Sequence, residues 1–196
     1  MKVAITGSSG FIGKNLKYRL KENNIDYLTI SHKENNDQIL DKISKSNFLV
    51  HLAGVNRPES VSEFKSGNLG FTDKICNIIE KLKLDIPIIF SSSIQVENDT
   101  DYGISKEESE QRLIDLNKAN KNKINIFRLP NVFGKWCKPN YNSVVATFCY
   151  NVSRGIENKI NDPKTNLKIT YIDDVIKEFL DLINSHDKEN KVIYPE

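Results

Sequence analysis

Long apolar runs are missing from this sequence. None of its 196 residues lies in a stretch of about 18 consecutive apolar side chains, so no membrane-spanning helix is predicted. The apolar run within Lys2–Thr6 is too short for a signal peptide and leads directly into a glycine turn. We therefore expect a cytoplasmic protein without a membrane partner.

Cysteine and histidine are both scarce, with three residues of each. An odd, sparse set of cysteines without C-x-x-C spacing indicates reduced thiols rather than a disulfide framework or a zinc site. The histidines are scattered, and no two of them have the spacing of metal ligands, so the sequence predicts no metal. The cysteines are Cys76, Cys137 and Cys149.

An excess of charge of either sign is also absent. The 28 Lys and Arg face 26 Asp and Glu, which gives a net charge of +2 and predicts no nucleic-acid partner. With 38% hydrophobic and 28% charged residues, the composition is typical of a folded globular protein. The length favours one domain over residues 1–196.

What the sequence does contain is an alternation of short apolar runs and amphipathic stretches. Repeated βα units predict an α/β fold, a Rossmann-type doubly wound parallel sheet with helices on both faces. Strands that are buried on both faces are continuous apolar runs, as these are. The strands are predicted at 2–6, 27–30, 48–52, 87–90, 124–128, 167–172 and 192–194, and the helices at 12–20, 39–43, 62–83, 105–117, 143–154 and 173–184.

A glycine-rich loop directly follows the first predicted strand and opens the first helix. Its G-x-x-G-x-x-G pattern places Gly7 at the tight turn, Gly10 where the backbone approaches a phosphate, and Gly13 at the helix–strand contact. Backbone N–H groups and a helix N-terminus there suit a pyrophosphate. The alternative is a glycine-rich turn without a ligand. The other loop residues expected at the cofactor are Ser9, Phe11 and Ile12.

The end of the second strand indicates which dinucleotide binds. An acidic residue there accepts the ribose 2′-OH of NAD, but residues 30–33 contain no acid. A hydroxyl and a cation suit a 2′-phosphate, so we expect NADP, with His32 and Lys33 as contacts. Alternatively, Lys33 is a solvated surface lysine.

Three serines and a Y-x-x-x-K pair indicate a catalytic site. Ser91, Ser92 and Ser93 end the fourth strand, and Tyr102 and Lys106 follow, four residues apart on one helical face. The lysine is expected to lower the pKa of the phenol, and a serine hydroxyl to bind a substrate carbonyl. Together these groups can hand a proton to an oxygen while a hydride reaches its carbon. A surface helix pair is the alternative for Y-x-x-x-K alone.

In this order the motifs resemble the extended short-chain dehydrogenase/reductase family, also called the NAD-dependent epimerase/dehydratase family. The resemblance rests on Thr6–Gly13, His51–Gly54, the serine run and the Tyr102/Lys106 pair. It implies that Ser93, Tyr102 and Lys106 are catalytic. It also implies that the cofactor lies beside Tyr102 and Lys106, with Lys106 at the nicotinamide ribose. The other residues expected beside it are Leu52, Ala53, Gly54, Asn68 and Pro130.

Longer stretches resemble a narrower group of this family, the reductase domains of capsular polysaccharide synthesis. They are His51–Glu59, Ser91–Gln95 and Pro130–Val144. The resemblance implies NADPH-dependent reduction of the 4-keto group of a UDP-linked 2-acetamido-2,6-dideoxyhexulose, and allows a homodimer. Members of the group continue beyond the point matching Glu196, with more of the substrate lobe and a cupin domain. The chain is thus either a fragment or a naturally minimal reductase, with a truncated substrate lobe from about residue 130 onward.

The substrate side is expected around residues 131–143. Asn142 is predicted to cap a helix whose N-terminus, flanked by Lys135 and Lys138, suits a diphosphate. Trp136 or Tyr141 is expected to stack on uracil, unless Trp136 only packs under the loop. The remaining substrate contacts expected are Asn131 and Arg57, and the alternative for Arg57 is an ion pair with Glu59.

Two other functions are compatible with these motifs. A sugar-nucleotide 4-epimerase would retain and recycle bound NAD. A dehydratase is not one of the two, because it would need acidic residues beside the catalytic hydroxyl, whereas Ile94 and Gln95 follow Ser93. A non-catalytic NADP-binding module is the alternative from another class, and the Tyr102/Lys106 pair argues against it.

Overall fold

Within the part of the chain that the structure describes, eight strands form two parallel sheets. The computed structural model describes residues 1–58, 60–160, 162–185 and 189–195. Glu59, the predicted alternative partner of Arg57, lies outside these residues. The strands are β1 (Lys2–Thr6), β2 (Asp26–Ile30), β3 (Phe48–His51), β4 (Ile88–Ser93), β5 (Ile124–Leu129), β6 (Asn131–Phe133), β7 (Ile169–Tyr171) and β8 (Lys191–Ile193). The large sheet has the order β2-β1-β3-β4-β5-β8, and β6 pairs with β7.

Helices cover both faces of the large sheet, which confirms the predicted doubly wound architecture. They are α1 (Phe11–Glu22), α2 (Asn36–Ser44), α3 (Ser62–Phe64), α4 (Phe71–Lys81), α5 (Asp101–Asn120), α6 (Val144–Val152) and α7 (Ile172–Asn184). One face is buried under α2, α4 and α5, and the other under α1 and α7. Successive residues of β1 alternate between the two cores: Ala4 packs into the first, and Val3 and Ile5 into the second.

The winding of the sheet reverses between β1 and β3. β2 lies on one side of β1 and β3 lies on its other side, so the two connections leave the sheet in opposite directions. Open α/β sheets bind ligands in the crevice outside the carboxyl ends of the strands at such a point. The predicted glycine loop follows β1 directly, and therefore lies at this crevice.

The helix predicted over residues 62–83 is interrupted in the structure. A π-helical stretch, Lys65–Gly70, separates α3 from α4. The sequence periodicity does not reveal this wider turn, because apolar residues have helical spacing both before and after it. The π-helical stretch carries Asn68, which is only 2% exposed. Such turns occur frequently at functional sites.

Helix α5 begins four residues earlier than the sequence predicts. The hydroxyl of Thr100 accepts a hydrogen bond from the backbone N–H of Gly103 at 3.1 Å and caps the helix. The early start places Tyr102 in the first turn and Lys106 in the next, on one face. None of the helices within the described ranges is long and apolar enough to cross a membrane. The cytoplasmic location and the homodimer stay predictions.

Candidate active site

A cleft of about 920 Å³ opens at the carboxyl ends of β1, β3 and β4, where the winding reverses. It brings together most of the residues predicted from the sequence. Those on the cofactor side are Gly7, Gly10, Phe11, Ile12, Gly13, Leu52, Gly54 and Pro130. Those on the catalytic and substrate sides are Ser93, Tyr102, Lys106, Arg57, Asn131 and Asn142.

Six predicted residues do not line the cleft. Ser9, His32 and Lys33 are exposed beside it, and Ala53 and Asn68 lie behind its wall. The side chain of Lys135 points elsewhere, because its ammonium lies over the ring of Trp136 at 4.5 Å.

The glycine turn packs so tightly against its neighbours that no side chain can stand in it. Gly7 has φ +64°, and a Cβ there would lie 2.6 Å from the backbone nitrogen of Ala53. A Cβ on Gly13 would collide with the carbonyl oxygen of Gly7. The turn, the end of β3 and the start of α1 therefore touch backbone to backbone. This leaves the N-terminus of α1 facing the open cleft.

A buried hydrogen-bond chain ties the glycine turn to β3 and α4. The hydroxyl oxygen of Thr6 accepts from the backbone N–H groups of Leu52 and Ala53, so its single proton goes to Nδ1 of His51, 2.6 Å away. Nε2 of His51 then carries the single ring proton and donates a hydrogen bond to the hydroxyl of Thr72 at 2.9 Å. Burial, with a smaller contribution from the Lys106 charge, lowers the pKa of His51 to about 3 and keeps the imidazole neutral.

Asn68 holds the loop that follows β3. Its amide oxygen accepts from the backbone N–H of Val55 at 2.8 Å, and its amide nitrogen donates to the Val55 carbonyl at 3.1 Å. The same nitrogen donates to the hydroxyl of Ser105 at 2.9 Å, which links the loop to α5. Asn68 thus holds this loop, and its place beside the cofactor stays a prediction.

The phenol of Tyr102 faces the end of β4. Burial raises the pKa of Tyr102, and a hydrogen bond from the hydroxyl of Ser93 opposes that rise. The phenol therefore carries its proton through the neutral range. Ser93 also caps the short 3₁₀ turn Ile94–Glu97, accepting from the backbone N–H of Gln95 at 3.2 Å.

Lys106 lies one helical turn further along α5. Its ammonium donates to the Ser91 carbonyl oxygen at 2.7 Å and lies 4.7 Å from the ring centre of Phe90. The residue is 5% exposed, and burial lowers the pKa of Lys106 to about 8, while the charge of Glu110 opposes that shift. Lys106 is thus a buried cation that is still charged at neutral pH.

The expected lowering of the Tyr102 pKa by Lys106 needs correction. The sequence motif predicts a lowered phenol pKa, whereas the structure has a raised one. The cause is burial, because desolvation of the phenol disfavours its charged phenolate form. A phenol with a raised pKa suits the donation of a proton better than its removal from a substrate alcohol.

On the substrate side, the predicted cap of α6 is wrong by one residue. Ser143 caps the helix by accepting from the backbone N–H of Ala146, whereas the Asn142 side chain accepts from the backbone N–H of Lys138. Asn131 in β6 accepts from the N–H of Val144 at 3.3 Å, so it holds the same helix start.

Arg57 reaches across the mouth of the cleft. Its guanidinium donates to the Asn140 carbonyl at 2.8 Å and lies 5.9 Å from the ring centre of Tyr141. This contact joins the loop after β3 to the segment before α6. Arg57 and Tyr141 thus form a rim around the predicted substrate end.

Sequence reasoning missed four charged residues at or near the site. Lys159 and Lys168 line the cleft. They precede a short strand in a polar segment, and no motif marks them. Glu34 accepts from the backbone N–H of Ser31 at the end of β2, and Glu110 lies on the catalytic face of α5. Glu110 could have been found from its spacing, four residues after Lys106.

Comparisons with known proteins identify relatives of this chain. A model of the NAD dependent epimerase/dehydratase family matches residues 3–194. The UDP-2-acetamido-2,6-beta-L-arabino-hexul-4-ose reductase of Pseudomonas aeruginosa is 42% identical over 185 residues, which cover 94% of this chain and 50% of that protein. The chain therefore spans about half the length of this curated relative.

Solved structures have the same fold. The capsular polysaccharide assembling protein CapF of Staphylococcus aureus is similar with a TM-score of 0.82 and 38% identity, over 98% of this chain and 53% of that chain. A UDP-glucuronic acid 4-epimerase of Bacillus cereus in complex with NAD has a TM-score of 0.87 at 19% identity, over 99% of this chain and 78% of that one. At that identity the likeness concerns the fold alone.

Proposed function

The chain belongs to the NAD dependent epimerase/dehydratase family, and on that premise we propose that it uses NADPH to reduce the 4-keto group of a UDP-linked 2-acetamido-2,6-dideoxyhexulose. The observation that carries the proposal is 42% identity, across 94% of the chain, to a protein named for a reaction of this kind. The likeness to CapF supports a role in the synthesis of capsule or surface polysaccharide precursors.

In this proposal three side chains handle the carbonyl oxygen. Ser93 donates a hydrogen bond to that oxygen, and Tyr102 gives it a proton as the carbon is reduced. The raised pKa of Tyr102 supports this direction, because a protonated phenol is the acid that an incipient alkoxide needs. Lys106 then faces the phenolate that remains and stabilises its charge.

When bound, NADPH supplies the hydride that reduces the carbonyl carbon. The pyrophosphate of such a cofactor is proposed to bind at the glycine turn, whose tight backbone packing at Gly7 and Gly13 brings the N-terminus of α1 to the cleft. Leu52, Gly54 and Pro130 form the walls along which the rest of the cofactor is proposed to lie. An epimerase would instead begin by removing a proton from an alcohol, a step that the raised pKa of Tyr102 disfavours.

The choice of NADP over NAD is supported by the way in which Glu34, which follows β2, is engaged. The carboxylate of Glu34 accepts from Ser31 N–H and from the ammonium of Lys42 at 2.8 Å. Lys42 also donates to the Thr29 carbonyl in β2, so the lysine holds the Glu34 carboxylate against the end of that strand. With Glu34 neutralised in this way, exposed Lys33 and His32 are free to meet a 2′-phosphate.

Reversing the charge of Lys33 is therefore expected to weaken NADPH binding selectively. We expect Lys33→Glu to raise the Kd for NADPH about 10-fold or more and to leave the Kd for NADH nearly unchanged, because one charge-assisted contact to the 2′-phosphate is lost. Calorimetric titration with both cofactors measures this. Lys177→Glu, an exposed lysine on α7, is the matched charge reversal and should change neither value. Equal weakening for both cofactors would refute the role of Lys33.

The pH dependence of reduction is expected to follow Lys106. Its pKa of about 8 means that the ammonium is present below pH 8 and is lost as the pH rises through 8. The phenol keeps its proton over this range, since its pKa is raised. We therefore expect kcat for reduction to be level near pH 6.5 and to fall above pH 8. A rate that stays constant to pH 9.5 would contradict the assignment of Lys106.

We propose that the substrate binds at the rim of the cleft formed by Arg57 and Tyr141 and at the end of the cleft lined by Lys159 and Lys168. Asn131 and Asn142 shape the start of α6, where the N-terminal N–H groups suit the UDP diphosphate. Lys159 and Lys168, which line the cleft, are proposed to add positive charge there. Arg57 is proposed to contact the sugar across the mouth of the cleft.

Incubation with NADPH and UDP-linked 4-keto sugars tests the function directly. Steady oxidation of NADPH with formation of the 4-hydroxy sugar supports the reductase. Interconversion of 4-epimers without net oxidation would instead identify an epimerase. Binding of NADPH without any turnover on these sugars would favour the non-catalytic module.

A further inference from the structure

Three residues on one face of α5 each contact one serine at the end of β4. Tyr102 lies at Ser93, whose hydroxyl opposes the rise in the pKa of Tyr102, and Lys106 donates to the carbonyl of Ser91. Glu110, four residues further along the same face, accepts from the hydroxyl of Ser92. The catalytic pair is thus continued by a third side chain to which the proposed chemistry gives no role.

Glu110 is a fully held, buried carboxylate. It is 3% exposed, and besides Ser92 it takes hydrogen bonds from Arg128 in β5, the shortest at 2.8 Å. Arg128 is shared in turn with the hydroxyl of Tyr194 at 2.7 Å and lies 3.9 Å from Glu97. Burying a carboxylate costs free energy unless it is paired. The burial of Glu110 four residues from Lys106 therefore calls for a functional explanation.

The groups that face Lys106 leave Glu110 as its source of negative charge within the described residues. On its own helix the charge that acts on Lys106 is the carboxylate of Glu110. From β3 it faces His51, which is neutral. From β4 it meets only the ring of Phe90 and a backbone carbonyl. The remaining charges, Arg128 and Glu97, lie beyond Glu110.

We propose that Glu110 is a positioning residue for the catalytic pair: its carboxylate, held by Ser92 and Arg128, keeps the buried Lys106 protonated at neutral pH and fixes the end of β4 against α5. This role rests on the proposed function, in which Lys106 must be charged when the phenolate forms. Desolvation alone favours the neutral amine. The charge of Glu110 opposes desolvation through a region of low dielectric, where it acts strongly.

The test follows the titration of Lys106 itself. The full chain is labelled with ¹³Cε-lysine, and the signal of Lys106 is assigned from its loss in Lys106→Arg. In the parent we expect the signal to titrate near pH 8. In Glu110→Gln, which keeps the shape and loses the charge, it should titrate about one pH unit lower. The control is Glu108→Gln, which removes an exposed carboxylate from the same helix and should leave the titration unchanged.

Kinetics separate this role from a purely structural one. We expect kcat of Glu110→Gln to be reduced about fivefold at pH 8 and less than about twofold at pH 6, because the variant loses its ammonium at lower pH. A loss of equal size at every pH, or a Lys106 titration within about 0.3 pH unit of the parent, would overturn the proposal.

Two further results keep the test decisive. If Glu110→Gln does not fold, Arg128→Met is used, where removal of the cation that shares the carboxylate is expected to raise the pKa of Lys106. A pKa at or below the parent value would count against the proposal. A parent that titrates as expected but oxidises no NADPH refutes the proposed function alone, since the NMR titration still decides the role of Glu110.

Discussion

Tyr102→Phe is expected to lose nearly all reductase activity while it keeps the cofactor. Removing the phenolic hydroxyl removes the proton donor, and general acid catalysis of this kind contributes about 10²–10⁴ to the rate. The ring stays in place, since it packs against Phe64 at 5.7 Å between ring centres. We therefore expect kcat to fall by about that factor and the Kd for NADPH to stay within about threefold of the parent value.

The measurement is steady-state NADPH oxidation with the 4-keto sugar, beside calorimetric titration with NADPH. Tyr150→Phe is the matched control, because it deletes the same hydroxyl from an exposed tyrosine outside the cleft. It should behave as the parent does. Retention of more than about a tenth of kcat in Tyr102→Phe would show that another group protonates the oxygen.

Gly7→Ala is expected to have the largest effect on cofactor binding. The new methyl group would stand 2.6 Å from the backbone nitrogen of Ala53 and 2.7 Å from the carbonyl carbon of Leu52, and neither backbone atom can move aside cheaply. The left-handed φ of +64° adds strain for any residue with a Cβ. We expect the free energy of unfolding to fall by about 3 kcal/mol or more and the Kd for NADPH to rise about 100-fold.

Gly155→Ala provides a control with the same backbone conformation. Gly155 also has φ +64°, but no atom lies within 4 Å of the Cβ that would be added there. It should therefore show the conformational cost alone, about 1–2 kcal/mol in denaturant unfolding, with unchanged NADPH affinity. Equal effects of the two substitutions would mean that contact between the glycine turn and β3 does not shape the cofactor site.

The sheet and the cleft are predictable from the sequence because their signals are local. The apolar runs at Val3–Ile5 and Phe48–Val50 are continuous, as strands buried on both faces must be. The glycine loop is marked by residue type, and its position after β1 places it at the crevice. The i, i+4 spacing of Tyr102 and Lys106 likewise puts both on one helical face.

Features that depend on the exact path of a turn or on burial are not predictable in this way. Glu34 is not at the end of β2 in the sequence, and only a turn brings its carboxylate back to Ser31. The pKa of Tyr102 is set by burial, which no spacing reveals. Ser143 and Asn142 are both good helix caps by residue type, and the choice between them depends on a bond to Lys138.

Glu110 lies between these two cases. Its spacing from Lys106 is visible in the sequence, but the polar stretch around it resembles an ordinary solvated helix face. Only the packing of α5 against β4 and β5 shows that this carboxylate is 3% exposed and held by Arg128. Burial therefore distinguishes Glu110 from the exposed carboxylates of the same helix.

Transfer of label in a single turnover tests the central claim most directly. NADPH that carries deuterium at the transferable position of its nicotinamide ring is mixed with the UDP-linked 4-keto sugar and with an excess of the protein over both. Mass spectrometry and NMR then locate the label. We predict one deuterium at C4 of the sugar, stoichiometric with NADP⁺, and its disappearance in Tyr102→Phe. Deuterium that stays entirely on the cofactor while the sugar is unchanged, or is only epimerised, would contradict reduction at this site.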